Sequence, residues 1–192
     1  MNMGNMKIGL RLGFGFGLVL LLMLIMIGIG LSNMASIQED LDKIVNENNY
    51  KTMLVNDMAD AVHVVARVVR TIVLLDDISA MQEERRKIEA ARKRYDDSLA
   101  ALEKTQASEK GRAIRAKIDD AKAATRASIN RVLELASANS DAEAIKLLLQ
   151  ESGPLTTKWQ EALEENRTFQ EESTKAEYES AKEAYTNGRN LM

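Results

Sequence analysis

The longest apolar stretch of the sequence lies close to its N-terminus. Residues 12–38 contain no charged side chain, Lys7 and Arg11 come just before them, and the first acidic residue is Glu39. At about 1.5 Å per residue, this run exceeds the roughly 30 Å thickness of the hydrocarbon layer of a bilayer. The pattern therefore predicts a transmembrane helix over residues 12–33.

The charges beside this helix predict its orientation. Basic residues favour the cytoplasmic side of a membrane span, which places residues 1–11 in the cytoplasm and exports residues 34–189. The alternative is a cleaved signal peptide, whose apolar core is only about 7–15 residues long and ends at a small-x-small cleavage site. Because this run is longer and leaves through Leu31-Ser32-Asn33-Met34, we interpret it as an anchor in the inner membrane, followed by a periplasmic domain.

Apolar residues recur at every third or fourth position through most of the exported part, which is the spacing of an amphipathic helix. Helix breakers are few there: the only proline is Pro154, and the glycines are Gly111, Gly153 and Gly188. The predicted bundle helices cover residues of about 34–77, 80–106, 109–138 and 155–187. Because short connections make neighbouring helices antiparallel, the predicted fold is all-α, an antiparallel up-down-up-down four-helix bundle preceded by one transmembrane helix.

Capping residues predict where three of the helices begin or end. Ser79 is the candidate N-cap of the second bundle helix. Asp141 is predicted to cap a short helix over residues 142–150, which Gly153-Pro154 is predicted to close. The fourth bundle helix would then begin only after this proline.

Composition excludes several classes of function. The chain has 26 Lys and Arg against 29 Asp and Glu, for a net charge of −3, so nucleic acid is not an expected partner. It has one histidine and no cysteine, which leaves few residues for metal binding or nucleophilic catalysis. The paired acids of the middle helices lack a neighbouring base or nucleophile. We therefore expect neither an enzyme nor a bound metal or cofactor.

Arginine side chains without a nearby acidic partner are the strongest candidate for a binding site. Arg67, Arg70 and Thr71 fall on one side of the first bundle helix, and the only acid between residues 59 and 75 is Asp60. Guanidinium groups bind carboxylates with two-point geometry, so this face favours a small organic acid or amino acid. The alternative is that Glu161, Glu164 or Glu165 of the fourth helix neutralises these arginines.

Counting away from turns near residues 79, 108 and 147 predicts which residues of neighbouring antiparallel helices lie level with each other. This estimate brings one polar layer together, with two aromatic walls: Arg67, Arg70, Thr71, Thr125, Arg126, Ser128 and Asn166, with Tyr95 and Trp159. Polar groups inside a bundle cost stability unless they are satisfied, which favours a ligand among them. His63 lies beside this layer, and a lone histidine there is more often a packed or exposed side chain than a ligand.

The end of the first bundle helix is apolar over an arc of about 200° at helical spacing. One bundle needs about half of that arc, so the excess predicts contact with the same helix of a second copy. The alternative is a generously packed core helix in a single chain.

Four segments of the chain resemble bacterial methyl-accepting chemotaxis receptors with a four-helix-bundle sensing domain. They are residues 7–20 (KIGLRLGFGFGLVL), 67–76 (RVVRTIVLLD), 87–96 (KIEAARKRYD) and 144–149 (AIKLLL) ahead of Gly153-Pro154. The resemblance implies a homodimer that binds small molecules in the periplasm and controls a cytoplasmic kinase through an adaptor. Because the first bundle helix leaves the membrane and the fourth should return to it, residues 190–192 are predicted to begin a second transmembrane helix.

In the aspartate-sensing members of this family, arginines of the first helix and polar residues at the start of the fourth grip the ligand. Arg67 and Arg70 are similar to the former, and Thr156 and Thr157 to the latter by position. The spacing departs from the family pattern, so a pocket across the dimer and a pocket inside one bundle both remain open. The alternative reading of the whole chain is the sensing domain of a sensor histidine kinase or of a membrane-anchored transducer that binds a partner protein.

Overall fold

The computed structural model describes residues 8–191, and every regular element in that range is helical. The α-helices are α1 (Ile8–Asp42), α2 (Asn49–Ile72), α3 (Ile78–Glu103), α4 (Glu109–Ser137), α5 (Asp141–Leu147) and α6 (Gly153–Leu191). Two π-helical segments, Lys43–Asn48 and Leu148–Ser152, join α1 to α2 and α5 to α6. Lys7 of the predicted basic flank and residue 192 of the predicted second anchor lie outside the described residues.

The chain divides into two compact units. Residues 46–174 contain α2, α3, α4 and a fourth helical run made of α5, the second π segment and the first part of α6. These four runs form an all-helical bundle, which confirms the predicted fold class.

The other unit contains residues 8–45 and 175–191 of the described chain. Its helix α1 belongs to the one helical run of the described residues, Ile8–Ile72, that is long and apolar enough to cross a membrane. In this unit α6 comes close to α1 at Gly188, where an added Cβ would lie 3.0 Å from Nδ2 of Asn33. A side chain at position 188 would therefore have to displace Asn33.

The apolar arc of α2 is covered within a single chain. The buried members of this arc are Ala61, Val62, Val65, Ala66, Val68, Val69, Ile72 and Val73. Only Val64 and Leu75 of the arc are half-buried, and both pack against the core. The arc therefore does not exceed what one bundle covers and gives no support for a second copy, so the homodimer stays a prediction.

The connection between α2 and α3 differs from the prediction by a few residues. Helix α2 ends at Ile72, and Asp77, rather than Ser79, is the N-cap of α3. The carboxylate of Asp77 accepts a hydrogen bond from the backbone N–H of Ser79 at 2.9 Å. An acidic cap two residues earlier satisfies a free N–H of the first turn, as a serine cap would.

The start of the fourth helical run also differs. Helix α4 ends in a Schellman turn, in which Asn139 adopts a φ of 54° and the N–H of Ser140 donates to the carbonyl of Leu135 at 3.0 Å. Ser140, not Asp141, occupies the N-cap position of α5. Asparagine tolerates the left-handed conformation better than most residues, which lets the chain reverse within three residues.

Gly153-Pro154 does not close the short helix, so this prediction was wrong. The helical run continues from Asp141 through the second π segment into α6. In a regular α-helix the proline ring would clash with the carbonyl four residues earlier, and a wider π turn relieves that clash. Glycine at position 153 avoids a tight contact there, because an added Cβ would lie 3.1 Å from the carbonyl oxygen of Leu148.

This continuity moves the turn before the fourth run from the predicted position near 147 to residues 138–140. The register of α4 against the fourth run follows from two side-chain pairs. Oγ of Ser128 lies 2.7 Å from Oγ of Ser152, and Nζ of Lys117 lies 2.7 Å from Oε1 of Glu165. The layers estimated from sequence are therefore shifted along α6.

Candidate functional site

Three of the predicted polar site residues lie in the bundle interior and are satisfied there. Thr125 donates to the carbonyl of Ala121 at 2.7 Å, and Thr156 donates to the carbonyl of Ser152 at 2.7 Å. The hydroxyl of Ser128 pairs with that of Ser152. All three side chains are buried, and these hydrogen bonds already use the polar groups that a ligand would have to bind.

The two predicted aromatic walls contact each other. Nε1 of Trp159 donates to the hydroxyl of Tyr95 at 3.0 Å, and the ring centroids are 4.9 Å apart in an edge-to-face arrangement. Burial raises the pKa of Tyr95 well above its ordinary range, although the Trp159 hydrogen bond opposes this shift. The pair therefore links α3 and α6 through the core.

Arg126 is neutralised within the chain. Its two terminal nitrogens lie 3.1 and 2.8 Å from the carboxylate oxygens of Asp96, and its Cζ lies 5.3 Å from the Tyr95 ring centroid. This two-point pair between α4 and α3 uses the geometry that a carboxylate ligand would use.

Asn166 is brought together with Gln170 rather than with Thr125 or Ser128. Its side-chain oxygen accepts from the Gln170 amide at 3.3 Å, while its Nδ2 is buried without a partner. Asn166 comes fourteen residues after Ser152, about 21 Å along a helix axis. The predicted single layer is therefore spread over several turns of the bundle.

Arg67 and Arg70 lie on the solvent-exposed side of α2, one turn apart. Within residues 8–191 neither guanidinium forms an ion pair or a side-chain hydrogen bond, whereas Arg94 pairs with Asp60 at 3.6 Å. Thr71, half-buried beside them, donates to the carbonyl of Arg67 at 3.3 Å. The result is a pair of exposed cations that no described acid neutralises.

The acids of α6 that were considered as partners for these arginines are engaged elsewhere or free. Glu164 pairs with Arg167 at 2.6 Å, and Glu165 pairs with Lys117. Glu161 has no ion-pair partner among the described residues. The alternative in which the fourth helix neutralises Arg67 and Arg70 does not form.

A groove of about 610 Å³ lies between α2 and α6, next to the arginine pair. Its apolar lining residues are Val55, Ala59 and Leu163. Its polar lining residues are Asn56, Asp60, His63, Thr157, Gln160, Glu161, Glu164 and Arg167. The groove reaches His63, which is four residues and so about 6 Å before Arg67 on the helix.

Sequence reasoning missed this groove, although a signal for it exists. Asn56, Asp60, His63, Arg67 and Arg70 are spaced by three and four residues, which places them on one face of α2. The sequence analysis places Arg67, Arg70 and Thr71 on this face, with His63 beside them. The same spacing continued about three turns towards the N-terminus, as far as Asn56, marks the α2 wall of the groove.

His63 contacts a side chain of α6. The side-chain amide of Gln160 donates to Nδ1 of His63 at 3.1 Å. Among the described residues no group of three histidine, aspartate or glutamate side chains is placed to hold a metal ion. The contact between Gln160 and His63 therefore bridges the two helices that form the groove.

A smaller groove of about 190 Å³ lies between α3 and α4. Its arginines already donate to protein oxygens: Arg85 to the carbonyl of Leu133 and Arg92 to the side chain of Asn130. Burial, together with the nearby charge of Arg126, lowers the pKa of Arg92. These contacts join α3 to α4, so the two arginines of this groove already have hydrogen-bond acceptors within the protein.

Comparison with known protein families identifies the family to which the chain belongs. Residues 5–185 match the family described as a four-helix-bundle sensory module for signal transduction, which is the sensory module of methyl-accepting chemotaxis proteins. No curated protein matches the chain. The matched range covers nearly all of the sequence and agrees with the helical bundle described above. The chain belongs to the four-helix-bundle sensory modules of methyl-accepting chemotaxis proteins.

Proposed function

We propose that this chain is the sensing part of a transmembrane chemotaxis receptor that binds a small organic acid in the periplasm. The observation that carries the proposal is the pair Arg67 and Arg70, two exposed guanidinium groups one turn apart without an acidic partner in the described chain. Other arginines of the bundle, such as Arg94, Arg126 and Arg167, have acidic partners.

A carboxylate fits this pair better than a neutral ligand. Each guanidinium offers several N–H donors in a planar fork, and a carboxylate accepts two of them at once. The nearest acid on the same face, Asp60, lies seven residues from Arg67 and already faces Arg94. A bound carboxylate would therefore supply the negative charge that no described residue provides beside Arg67 and Arg70.

Two helices would transmit the signal to the cell interior. The helical run Ile8–Ile72 contains the apolar stretch suited to an inner-membrane span, and α6 continues to Leu191. A ligand that contacts α2 and α6 in the bundle would change the preferred arrangement of these helices by about an Ångström or two, a scale on which packed helices have alternative positions. That displacement would control a cytoplasmic kinase and its adaptor.

A second copy of the chain would complete the site in a homodimer. Arg67 and Arg70 face solvent, and a ligand bound to them alone would keep most of its surface in water. Facing arginines or threonines of a partner helix would enclose it. A pocket inside one chain would instead use the groove between α2 and α6 and need no partner.

A second candidate function, recognition of a partner protein, is favoured by exposed apolar side chains at one end of the bundle. Leu74 and Ile78, on either side of the α2–α3 turn, are 76% and 58% exposed. A bundle that signals through a partner protein or that belongs to a sensor histidine kinase would use such a surface. Loss of signalling in a Leu74→Ser variant that still binds small acids would support this candidate.

Thermal unfolding of the full chain in detergent micelles, with a panel of small mono- to tricarboxylates, tests the proposal. A ligand at 100 times its dissociation constant adds about 2.7 kcal/mol to the free energy of unfolding. We expect at least one carboxylate to raise the melting temperature, and neutral sugars of similar size to leave it unchanged. Absence of any shift across the carboxylates would contradict the proposal.

A further inference from the structure

The smaller groove, between α3 and α4, contains two arginines without an ion pair. Arg85 and Arg92 are half-buried, and neither is paired with an acid in the described part of the chain. One terminal nitrogen of Arg85 donates to the carbonyl of Leu133 and to the hydroxyl of Ser137. Arg92 donates only one hydrogen bond, to the side-chain oxygen of Asn130. All these acceptors are uncharged, so both positive charges remain available to a further acceptor.

The charge of Arg92 is only partly compensated. Its pKa is lowered first by burial and then by the neighbouring charge of Arg126. The charges of Asp96 and Glu89 oppose this shift without cancelling it. Asp96 is itself paired with Arg126 at 2.8 Å, so its carboxylate already serves another cation. An additional negative charge beside Arg92 would therefore be favourable.

Two glutamates line the same groove and also lack an ion pair. Glu89 belongs to α3 and Glu134 to α4, and both side chains are exposed. Neither has an ion-pair or side-chain hydrogen-bond partner among the residues that the structure describes. A simple anion in this groove would be repelled by the glutamates, and a simple cation would be repelled by the arginines. Charge complementarity therefore favours a ligand that carries both signs.

The spacing of the charged groups suits a compact ligand. Glu89 lies three residues before Arg92 on α3, about 4.5 Å along the helix axis. Arg92 contacts Asn130 of α4, and Glu134 follows Asn130 by four residues, about one helical turn. Because α3 and α4 are antiparallel, Glu134 comes level with Glu89. A carboxylate at Arg92 and an ammonium group at the two glutamates would thus be only a few Ångströms apart.

The groove also has an apolar lining and little space. Ile88 of α3 and Leu133 of α4 line it and are only 2% and 7% exposed. Its volume of about 190 Å³ is below the roughly 300 Å³ at which pockets for drug-sized ligands begin. A small molecule with a short apolar side chain fits these dimensions.

We propose that the groove between α3 and α4 binds a compact zwitterion, with its carboxylate and ammonium groups on one carbon atom and a short apolar side chain. The carboxylate accepts hydrogen bonds from Arg92, and the ammonium group donates to Glu89 and Glu134. This site is on different helices from Arg67 and Arg70. It therefore does not depend on the proposed function of that arginine pair.

Calorimetric titration of the full chain in detergent micelles, carrying both Arg67→Ala and Arg70→Ala, isolates this groove from the arginine pair of α2. Alanine, propionate and ethylamine are matched probes with both charges, the carboxylate alone and the ammonium alone. We expect alanine to bind at least about three-fold more tightly than either of the others, because each of them lacks one charged contact. Propionate or ethylamine binding as tightly as alanine would overturn the inference.

Substitutions in the groove test the two charged contacts separately. Glu134→Gln should weaken alanine binding about two- to five-fold, the contribution of an exposed ion pair, and should not weaken propionate binding. Asp120→Asn, which changes another exposed acid of α4 outside the groove, is its matched control. Arg92→Gln should weaken alanine binding about ten-fold, and Arg86→Gln, at an exposed arginine of α3 outside the groove, should not.

Glu134→Gln keeps the test valid if Arg92→Gln disturbs the fold, because Glu134 has no partner to lose in the described chain. Circular dichroism checks the helix content of each variant. Absence of alanine binding to the chain that carries Arg67→Ala and Arg70→Ala would overturn the inference, as would equal affinities in Glu134→Gln and its control. The proposed function fails on a different result, the absence of stabilisation of the unmodified chain by any simple carboxylate.

Discussion

The indole nitrogen of Trp159 donates a hydrogen bond to the hydroxyl of Tyr95 at 3.0 Å in the interior of the bundle. Both side chains are almost fully buried, and their rings pack edge to face. The bond joins α3 to α6, which are far apart in sequence. Two residues that the sequence suggested as walls of a ligand pocket therefore stabilise the fold by contacting each other.

Tyr95→Phe should destabilise the bundle by about 1–2 kcal/mol, because it leaves the buried N–H of Trp159 without an acceptor. Chemical denaturation followed by far-ultraviolet circular dichroism measures this change. Tyr185→Phe removes a hydroxyl from an exposed tyrosine and should change stability little. Equal effects of the two substitutions would show that the Trp159 bond contributes nothing.

Alkaline pH should weaken the fold through Tyr95. Burial raises its pKa in the folded state above the value of about 10 in the unfolded chain, so the unfolded state ionises first. The stability from this tyrosine is complete below about pH 10 and is lost as the pH rises further. The difference in phenolate absorbance between the unmodified chain and Tyr95→Phe should appear at higher pH in the folded chain than in denaturant. A Tyr95→Phe variant with the same loss of stability above this pH would contradict the account.

The buried hydroxyl pair of Ser128 and Ser152 should show strong coupling. Ser152→Ala alone leaves the Ser128 hydroxyl without its partner and should cost about 1–3 kcal/mol. The double variant Ser128→Ala with Ser152→Ala removes both polar groups, so it should cost less than the sum of the single substitutions. A double-mutant cycle with additive free energies would mean that the two hydroxyls do not interact.

Arg126→Ala should leave binding of small carboxylates within two-fold, since its guanidinium is already paired with Asp96. The pair is partly exposed, so the free energy of unfolding should fall by only about 0.2–1 kcal/mol. Asp96→Asn gives the reciprocal test, because it frees the same arginine. A large loss of carboxylate affinity in Arg126→Ala would contradict this expectation and show that Arg126 contributes to ligand binding.

The helices and their order could be predicted from sequence because spacing of apolar residues and short polar connections determine them locally. Starts and ends were less certain. Asp77 and Ser79 are both good caps two residues apart, and only the folded chain selects between them. The spacing of the apolar residues does not reveal the π segment before Pro154. Because of this segment, the helical run continues where the sequence predicts a break.

The site was predicted less well than the fold because it depends on register between distant helices. The error in one turn, near 147 instead of 138–140, displaced every predicted neighbour on α6 by about two to three turns. The exposure of Arg67 and Arg70 could be predicted without the register between helices, because it depends only on the face of α2 on which they lie. The internal pairing of Ser128 with Ser152 could not be found without the correct turn.

Calorimetric titration of the unmodified chain, Arg67→Ala, Arg70→Ala and Arg131→Ala with the most stabilising carboxylate tests the central claim most directly. Arg131 is the control, because it is also exposed and has no ion-pair partner among the described residues, but it lies on α4. Loss of a charged hydrogen bond should weaken binding at least ten-fold in each α2 variant, with melting temperatures nearly unchanged and Arg131→Ala within two-fold. Unchanged affinity in both Arg67→Ala and Arg70→Ala would contradict the proposal that these arginines hold the ligand.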